Sequence, residues 1–170
     1  MEYIGDVFYD YGGSLYVNMT NRCPCRCTFC IRDMVDALGD ADSLWLKREP
    51  SRDELLTMLA EQKLAVYDEI VFCGYGEPTE RLDCLFAICD FVKRDEGLKG
   101  RLKTRLNTNG LSDLINQRAT AKEFAGRLDA ISISLNAPTA EKYNELCRPK
   151  YGTSAFAEIL RFTEEVKQYV

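Results

Sequence analysis

Apolar positions along the chain fall into two alternating kinds of run. Short runs at Leu15-Tyr16-Val17-Asn18-Met19, Glu69-Ile70-Val71-Phe72-Cys73, Lys103-Thr104-Arg105-Leu106-Asn107 and Ala130-Ile131-Ser132-Ile133-Ser134-Leu135 have the length and β-branched character of strands. Between and after them the spacing changes to three and four. Leu55, Leu56, Leu59 and, after a last turn, Leu64 mark one face; Leu82, Leu85, Phe86, Cys89 and Val92 mark another over about 82–93. Phe156, Ile159, Leu160, Thr163 and Val166 mark a third, on a helix that starts near Thr153-Ser154. That period predicts amphipathic helices. Ser51 followed three residues later by Glu54 predicts a capping box at the first of them. A broken helical stretch over 112–127 and a short helix over about 139–147 complete the series.

Two segments stand outside this alternation. Residues 1–13 form a polar and aromatic lead-in, a small ribbon closed by Gly12-Gly13. Residues 31–50 read as irregular, around the apolar knot Leu44-Trp45-Leu46. Trp45 is expected in the core, the competing role being a lid over the cysteine loop described below.

Four strand–helix repeats predict parallel strands joined by right-handed crossovers. The fold class is α/β, a partial (β/α) barrel, in a single domain over 1–170. In such sheets functional groups collect at the C-terminal strand ends. The polar motifs sit there: Cys23-Pro24-Cys25-Arg26-Cys27-Thr28-Phe29-Cys30 after the first strand, Gly74-Tyr75-Gly76-Glu77-Pro78 after the second, Thr108-Asn109-Gly110 after the third, Asn136-Ala137-Pro138 after the fourth.

Composition narrows the chemistry. The 170 residues contain no histidine, which removes Ser-His-Asp and Cys-His nucleophilic sites and every His-containing zinc site. The net charge of -5 argues against nonspecific nucleic-acid binding by this chain alone. No segment reaches the roughly 20 apolar residues of a membrane helix. Eight cysteines without a signal peptide suit a reducing, cytoplasmic setting, with thiols serving metal or packing. Cys73, Cys84 and Cys89 are assigned to strand and helix packing.

Read as C-x-x-x-C-x-x-C, the loop offers the thiols of Cys23, Cys27 and Cys30 to three irons of a [4Fe–4S] cluster and leaves the fourth iron without a ligand from this loop. Such a cluster suits small-molecule binding as well as electron transfer. Two other readings stand beside it. Counting Cys25 gives four thiols, enough in number for a structural zinc module, and all of them could be free. A non-catalytic iron–sulfur electron carrier is a further alternative.

These motifs, taken in order, resemble those of the radical SAM superfamily. Cys23-x-x-x-Cys27-x-x-Cys30, with an aromatic Phe29 before the last cysteine, is similar to its cluster signature. Tyr75-Gly76-Glu77-Pro78 is similar to its second-strand motif, with Tyr75 in place of a glycine, and Asn107-Thr108-Asn109-Gly110 to its third. The resemblance implies an enzyme whose cluster and S-adenosylmethionine generate a 5′-deoxyadenosyl radical that abstracts hydrogen from a substrate, here unknown. It implies that Glu77 and the backbone of Gly74 and Gly76 bind the methionine ammonium, that Asn107, Ser134 and Asn136 contact ribose and carboxylate, and that Phe29 lies along the adenine or packs in the core. Asn109 fits turn chemistry, Cys25 is a non-ligand, and Cys147 is assigned to packing. An electron donor of the reductase, flavodoxin or ferredoxin type is implied as a partner.

A narrower resemblance, through Tyr16–Cys23, Leu44–Pro50, Ser132–Ala137 and Tyr143–Pro149, points to the subgroup associated with TatD-type metal-dependent hydrolases, and to such a hydrolase as a partner. The family core has six β/α units and four are legible here. A truncated piece, a minimal form and a partner that supplies the rest are all compatible with that shortfall.

Overall fold

A computed structural model describes residues 2–170. The lead-in forms the expected ribbon: β1 (Phe8–Tyr11) pairs antiparallel with β2 (Ser14–Val17), Tyr11 opposite Ser14. Gly12 and Gly13 have φ of 62° and 83°, the two left-handed residues that a type I′ hairpin turn demands. β2, β3 (Glu69–Phe72), β4 (Lys103–Thr108) and β5 (Ala130–Ile133) then lie parallel, in sequence order. The helices are α1 (Arg52–Ala60), α2 (Leu82–Arg94), α3 (Ser112–Asn116), α4 (Ala140–Cys147) and α5 (Ser154–Val166). The sheet is open, with β1 and β5 at its edges.

Register divides the sheet into two faces. Leu15 is level with Ile70, and Val17 with Phe72, Leu106 and Ile131; these residues meet the helices in the main core with Leu55, Leu59, Leu85, Ile88, Phe124 and Phe162. The other face carries Tyr9, Tyr16, Val71, Arg105 and Ala130 in one row and Asn107 beside Ser132 in the next. Arg105 there pairs with Glu69 at 2.9 Å. The crossovers thus cover the apolar face and leave the more polar one toward the lumen of the partial barrel.

The structure departs from the sequence pattern in four places. α1 ends at Ala60, and Leu64 is buried instead in a separate 3-10 turn, Leu64–Val66. The broken stretch resolves into α3 and a 3-10 turn at Ala121–Phe124, interrupted at Gln117 with φ of 54°. On α5 the buried stripe is Ala155, Ile159, Phe162 and Val166, while Leu160 is exposed: Phe162 docks edge-on against Phe124 and Arg161 binds Asp113 at 2.7 Å, which fixes the rotation of the helix. Trp45 is exposed and not in the core. Leu44 and Leu46 are buried on either side of it, so the knot alternates like an extended strand and turns its middle residue outward. The Trp45 ring meets Tyr75 and lies under the Arg32 guanidinium.

Candidate functional site

β2 delivers the chain into Asn18-Met19-Thr20, all buried, and this segment is clamped by the loop that follows β3. The Asn18 side-chain amide donates to the Leu44 carbonyl at 2.8 Å, and its oxygen accepts from the Tyr75 amide. A Cβ on Gly74 would run into Asn18, and one on Gly76 into the Thr20 and Arg22 carbonyls. The two glycines are therefore what allows the second motif to lie directly on the approach to the cysteines. The Glu77 amide closes the contact by donating to the Arg22 carbonyl at 2.8 Å. Arg22 in turn binds Glu49 and Glu80, and Arg81 binds Glu49 from the other side.

The cysteine loop is strapped to the end of α4. Arg26 and Thr28 donate to the Cys147 and Leu146 carbonyls at 3.0 and 2.8 Å, and Lys150 donates to the Pro24 carbonyl at 2.9 Å. Within the loop Cys25 points inward, buried, its sulfur 3.8 Å from the Tyr143 hydroxyl. It neighbours Cys23 and Cys27, and the Cys27 sulfur lies 3.8 Å from the Cys147 carbonyl. These contacts shift the thiol pKa values. Hydrogen bonding to both neighbours, reinforced by burial, pushes the Cys25 thiol up strongly. The same bond pulls Cys23 down, against burial, and brings Cys27 down to about 6. Burial raises Cys30 and pushes Cys147 up to about 11. The thiolate is the form that binds metal, and the shifts at Cys23 and Cys27 run toward it while that at Cys25 runs away from it.

Glu77 is buried at the junction of three motifs. Its Oε1 accepts from the Thr108 hydroxyl at 2.6 Å, the Thr79 hydroxyl at 2.8 Å and the Thr79 amide at 3.1 Å, and its Oε2 accepts from the Asn109 amide at 2.8 Å. Burial raises its pKa and these four donors oppose that rise. Asn109 then reaches on: its side-chain amide lies 3.9 Å from the Cys23 sulfur and 4.0 Å from that of Cys25, while its oxygen holds the Leu111 amide. The turn role read for Asn109 is thus present, and a contact to the thiols is added to it. Thr79, Thr108 and Asn109 as partners of Glu77 escaped the sequence reading.

The remaining candidates are placed more loosely. Asn107 is half-buried on the lumen face, accepting from Arg105 at 3.2 Å. Ser134 is exposed just past β5, its amide bonded to the Thr108 carbonyl. Asn136 is exposed with φ of 60°, its side-chain amide 3.9 Å from the Cys147 sulfur. Phe29 is 47% exposed, which rules out core packing. Cys147, Cys84 and Cys89 are fully buried, as packing thiols are.

The donor set fits an iron–sulfur cluster: soft sulfur ligands, three of them at the spacing of four and three, on one loop at a strand end. Among the described residues no group of three or more Cys, Asp or Glu side chains is placed to hold a single metal ion. Among the described residues no helix is long and apolar enough to cross a membrane.

Comparison with known proteins agrees with this geometry. The profile of the radical SAM superfamily matches residues 17–169. The GTP 3′,8-cyclase of Corynebacterium glutamicum is 35% identical over 141 residues, covering 79% of this chain and 33% of that protein. Those of Pelotomaculum thermopropionicum and Streptomyces coelicolor are 30% and 31% identical, each over 79% of this chain and 37% and 36% of the relative. The chain spans about a third of the length of these curated relatives. They give no support to the TatD-associated subgroup or to a TatD-type partner. Cysteines at that spacing, gripped by a Gly-x-Gly-Glu-Pro loop at the C-terminal edge of a parallel sheet, carry the same message as the profile: the chain belongs to the radical SAM superfamily, enzymes whose cofactors are a [4Fe–4S] cluster and S-adenosylmethionine.

Proposed function

We propose that this chain carries the cluster- and S-adenosylmethionine-binding part of a radical SAM enzyme, with Cys23, Cys27 and Cys30 as the three iron ligands. When bound, a cluster on these thiols would supply the electron for reductive cleavage of S-adenosylmethionine, and with it the radical chemistry of the family. The chain's own residues do the positioning. Gly74 and Gly76 set the second motif against the loop, and Glu77 offers its less occupied Oε2 to the methionine ammonium. Asn107, Ser134 and Asn136 line the strand ends on the side where ribose and carboxylate would lie, with Phe29 beside the adenine. The observation that carries this reading is the direct clamp of the Glu77 loop onto the cysteine approach, since it joins the two motifs that must share one ligand.

The relatives are named for a reaction on GTP, and that nucleotide is the first substrate to test. A one-electron donor of the flavodoxin or ferredoxin type, in a reducing compartment such as the cytoplasm, would supply the electron. Anaerobic reconstitution tests the proposal. The expected result is about four irons per chain, a reduced-cluster magnetic resonance spectrum that changes when S-adenosylmethionine is added, and 5′-deoxyadenosine on reduction. A cluster indifferent to S-adenosylmethionine would make the chain an electron carrier and end the enzymatic reading.

A further inference from the structure

Beside Cys23 the surface forms a shallow hollow lined by Cys23, Pro24, Arg26, Arg148, Pro149 and Lys150. Three cations meet there and no carboxylate lines it. Elsewhere Arg22, Arg48, Arg81, Arg105, Arg127 and Arg161 each hold a carboxylate, whereas among the described residues Arg32, Arg52, Arg94 and Arg101, scattered over the surface, do not. Among the described residues Arg26, Arg148 and Lys150 hold none, and all three are exposed. Arg148 also occupies the left-handed C-cap of α4, with φ of 46°, a place that glycine fills most easily. The backbone strap between the cysteine loop and residues 146–150 fixes the spacing of the three.

We propose that this hollow docks an acidic one-electron carrier protein, an inference that rests on the cluster reading above. The chain is acidic overall, with a net charge of -5, so an acidic carrier is repelled by most of its surface and needs a local positive patch to arrive productively. The patch includes a proposed ligand residue, Cys23, so a carrier seated on it stands beside the cysteine loop. One electron then passes from the reduced carrier, which is oxidised by one, to the cluster, which is reduced by one, with no bond made and no proton moved. A free phosphate fits the hollow less well. The amides of Arg26 and Lys150, which would line an anion nest, are already spent on the Cys147 and Pro24 carbonyls. Exposed side chains on a shallow surface suit a small, salt-sensitive electron-transfer contact.

The test is stopped-flow reduction of the reconstituted full chain by a reduced acidic ferredoxin, at low and at high salt. It compares the wild type with the double variants Arg148→Glu/Lys150→Glu and Arg148→Gln/Lys150→Gln. The expected result is a wild-type rate that falls with salt. The Glu variant should be slower by about tenfold or more at low salt, the Gln variant intermediate, and the differences should close at high salt. Iron content and photoreduction by a small deazaflavin should match the wild type in both variants. Equal rates and equal salt slopes in all three proteins would overturn the docking site. So would binding of inorganic pyrophosphate that is lost in the variants while ferredoxin reduction is unchanged. A wild type that takes up no iron would overturn the cluster reading beneath the proposal, and iron content shows this before any carrier is added. Titration of the metal-free chain with ferredoxin then still reads the surface, and no binding there would sink it independently.

Discussion

Cys25 sits between two proposed ligands in the sequence, yet the contacts assign it a different task. Its buried sulfur lies 3.8 Å from the Tyr143 hydroxyl within a cluster that includes Cys147, so its role is to pack the loop. Cys25→Ala should therefore keep an iron content near four per chain while lowering stability by about 1 kcal/mol, as loss of a small buried group does. Cys27→Ala should abolish cluster loading. Iron assay and denaturant unfolding on both variants check this, and equal iron loss would make Cys25 a ligand. Glu77 is the second residue whose job exceeds the one read for it. Removing its carboxylate strands the Thr79 and Thr108 hydroxyls and the Thr79 and Asn109 amides. Glu77→Ala should cost about 3 kcal/mol or more from those unsatisfied groups alone. Its pH signature follows from burial, which raises its pKa above the ordinary 4.5. The folded chain then binds this proton more tightly than the unfolded one. Stability from this group is full below 4.5 and is lost as pH rises through the raised folded value. Glu77→Gln should flatten that slope in urea unfolding measured from pH 4 upward; an unchanged slope would mean the shift is absent.

At the scale of elements, the sequence carried most of the fold because period and punctuation agreed. β3, β4 and α2 fall where alternation and spacing placed them, within a residue or two. The capping box at Ser51 and Glu54 is formed in both directions. What the pattern missed needed tertiary information. α5 offers two apolar stripes, and the docking of Phe162 on Phe124 together with the Arg161–Asp113 pair chooses between them. Trp45 is apolar, but its alternation with Leu44 and Leu46 outweighs its own hydrophobicity. The site was legible as motifs at strand ends. The threonines around Glu77 were not, since a hydroxyl aimed at a carboxylate leaves no periodic trace. Ser51→Ala should cost about 1 kcal/mol, read by thermal or chemical unfolding. Glu54 adds a pH dependence of the opposite sign to that of Glu77. The Arg48 guanidinium, then the Ser51 amide, hold its pKa at about 2. Its contribution is present above 4.5 and is lost as pH falls toward 2. The gap between wild type and Glu54→Gln should narrow over that window, and a gap that stays constant would show that the carboxylate charge does not matter to the cap.

For the molecule as a whole, the sheet is unevenly protected. β3 lies between two parallel neighbours, with Ile70, Val71 and Phe72 inaccessible to solvent. Among the described residues β5 pairs only with β4 and its other edge is unpaired, and none of its residues is fully buried. Opening free energy rises with the buried contacts and paired neighbours of a segment, and an open edge is also where another strand can add. Hydrogen exchange should therefore grade across the sheet, with β3 amides exchanging only through global unfolding and those of Ala130–Ile133 through cheaper local opening. The two cores sharpen the contrast. The main core locks β2, β3 and β4 to α1 and α2, whereas Tyr143, Cys147 and Ile159 form a separate cluster with Cys25. That second cluster ties the cysteine loop to α4 and α5, so loop and helices should open together. Cluster loading ought then to raise protection in α4 and α5 as well as in the loop, with β3 unchanged. Exchange measured with and without iron tests the coupling. Protection gained by the loop alone would show that its strap to residues 146–150 transmits nothing.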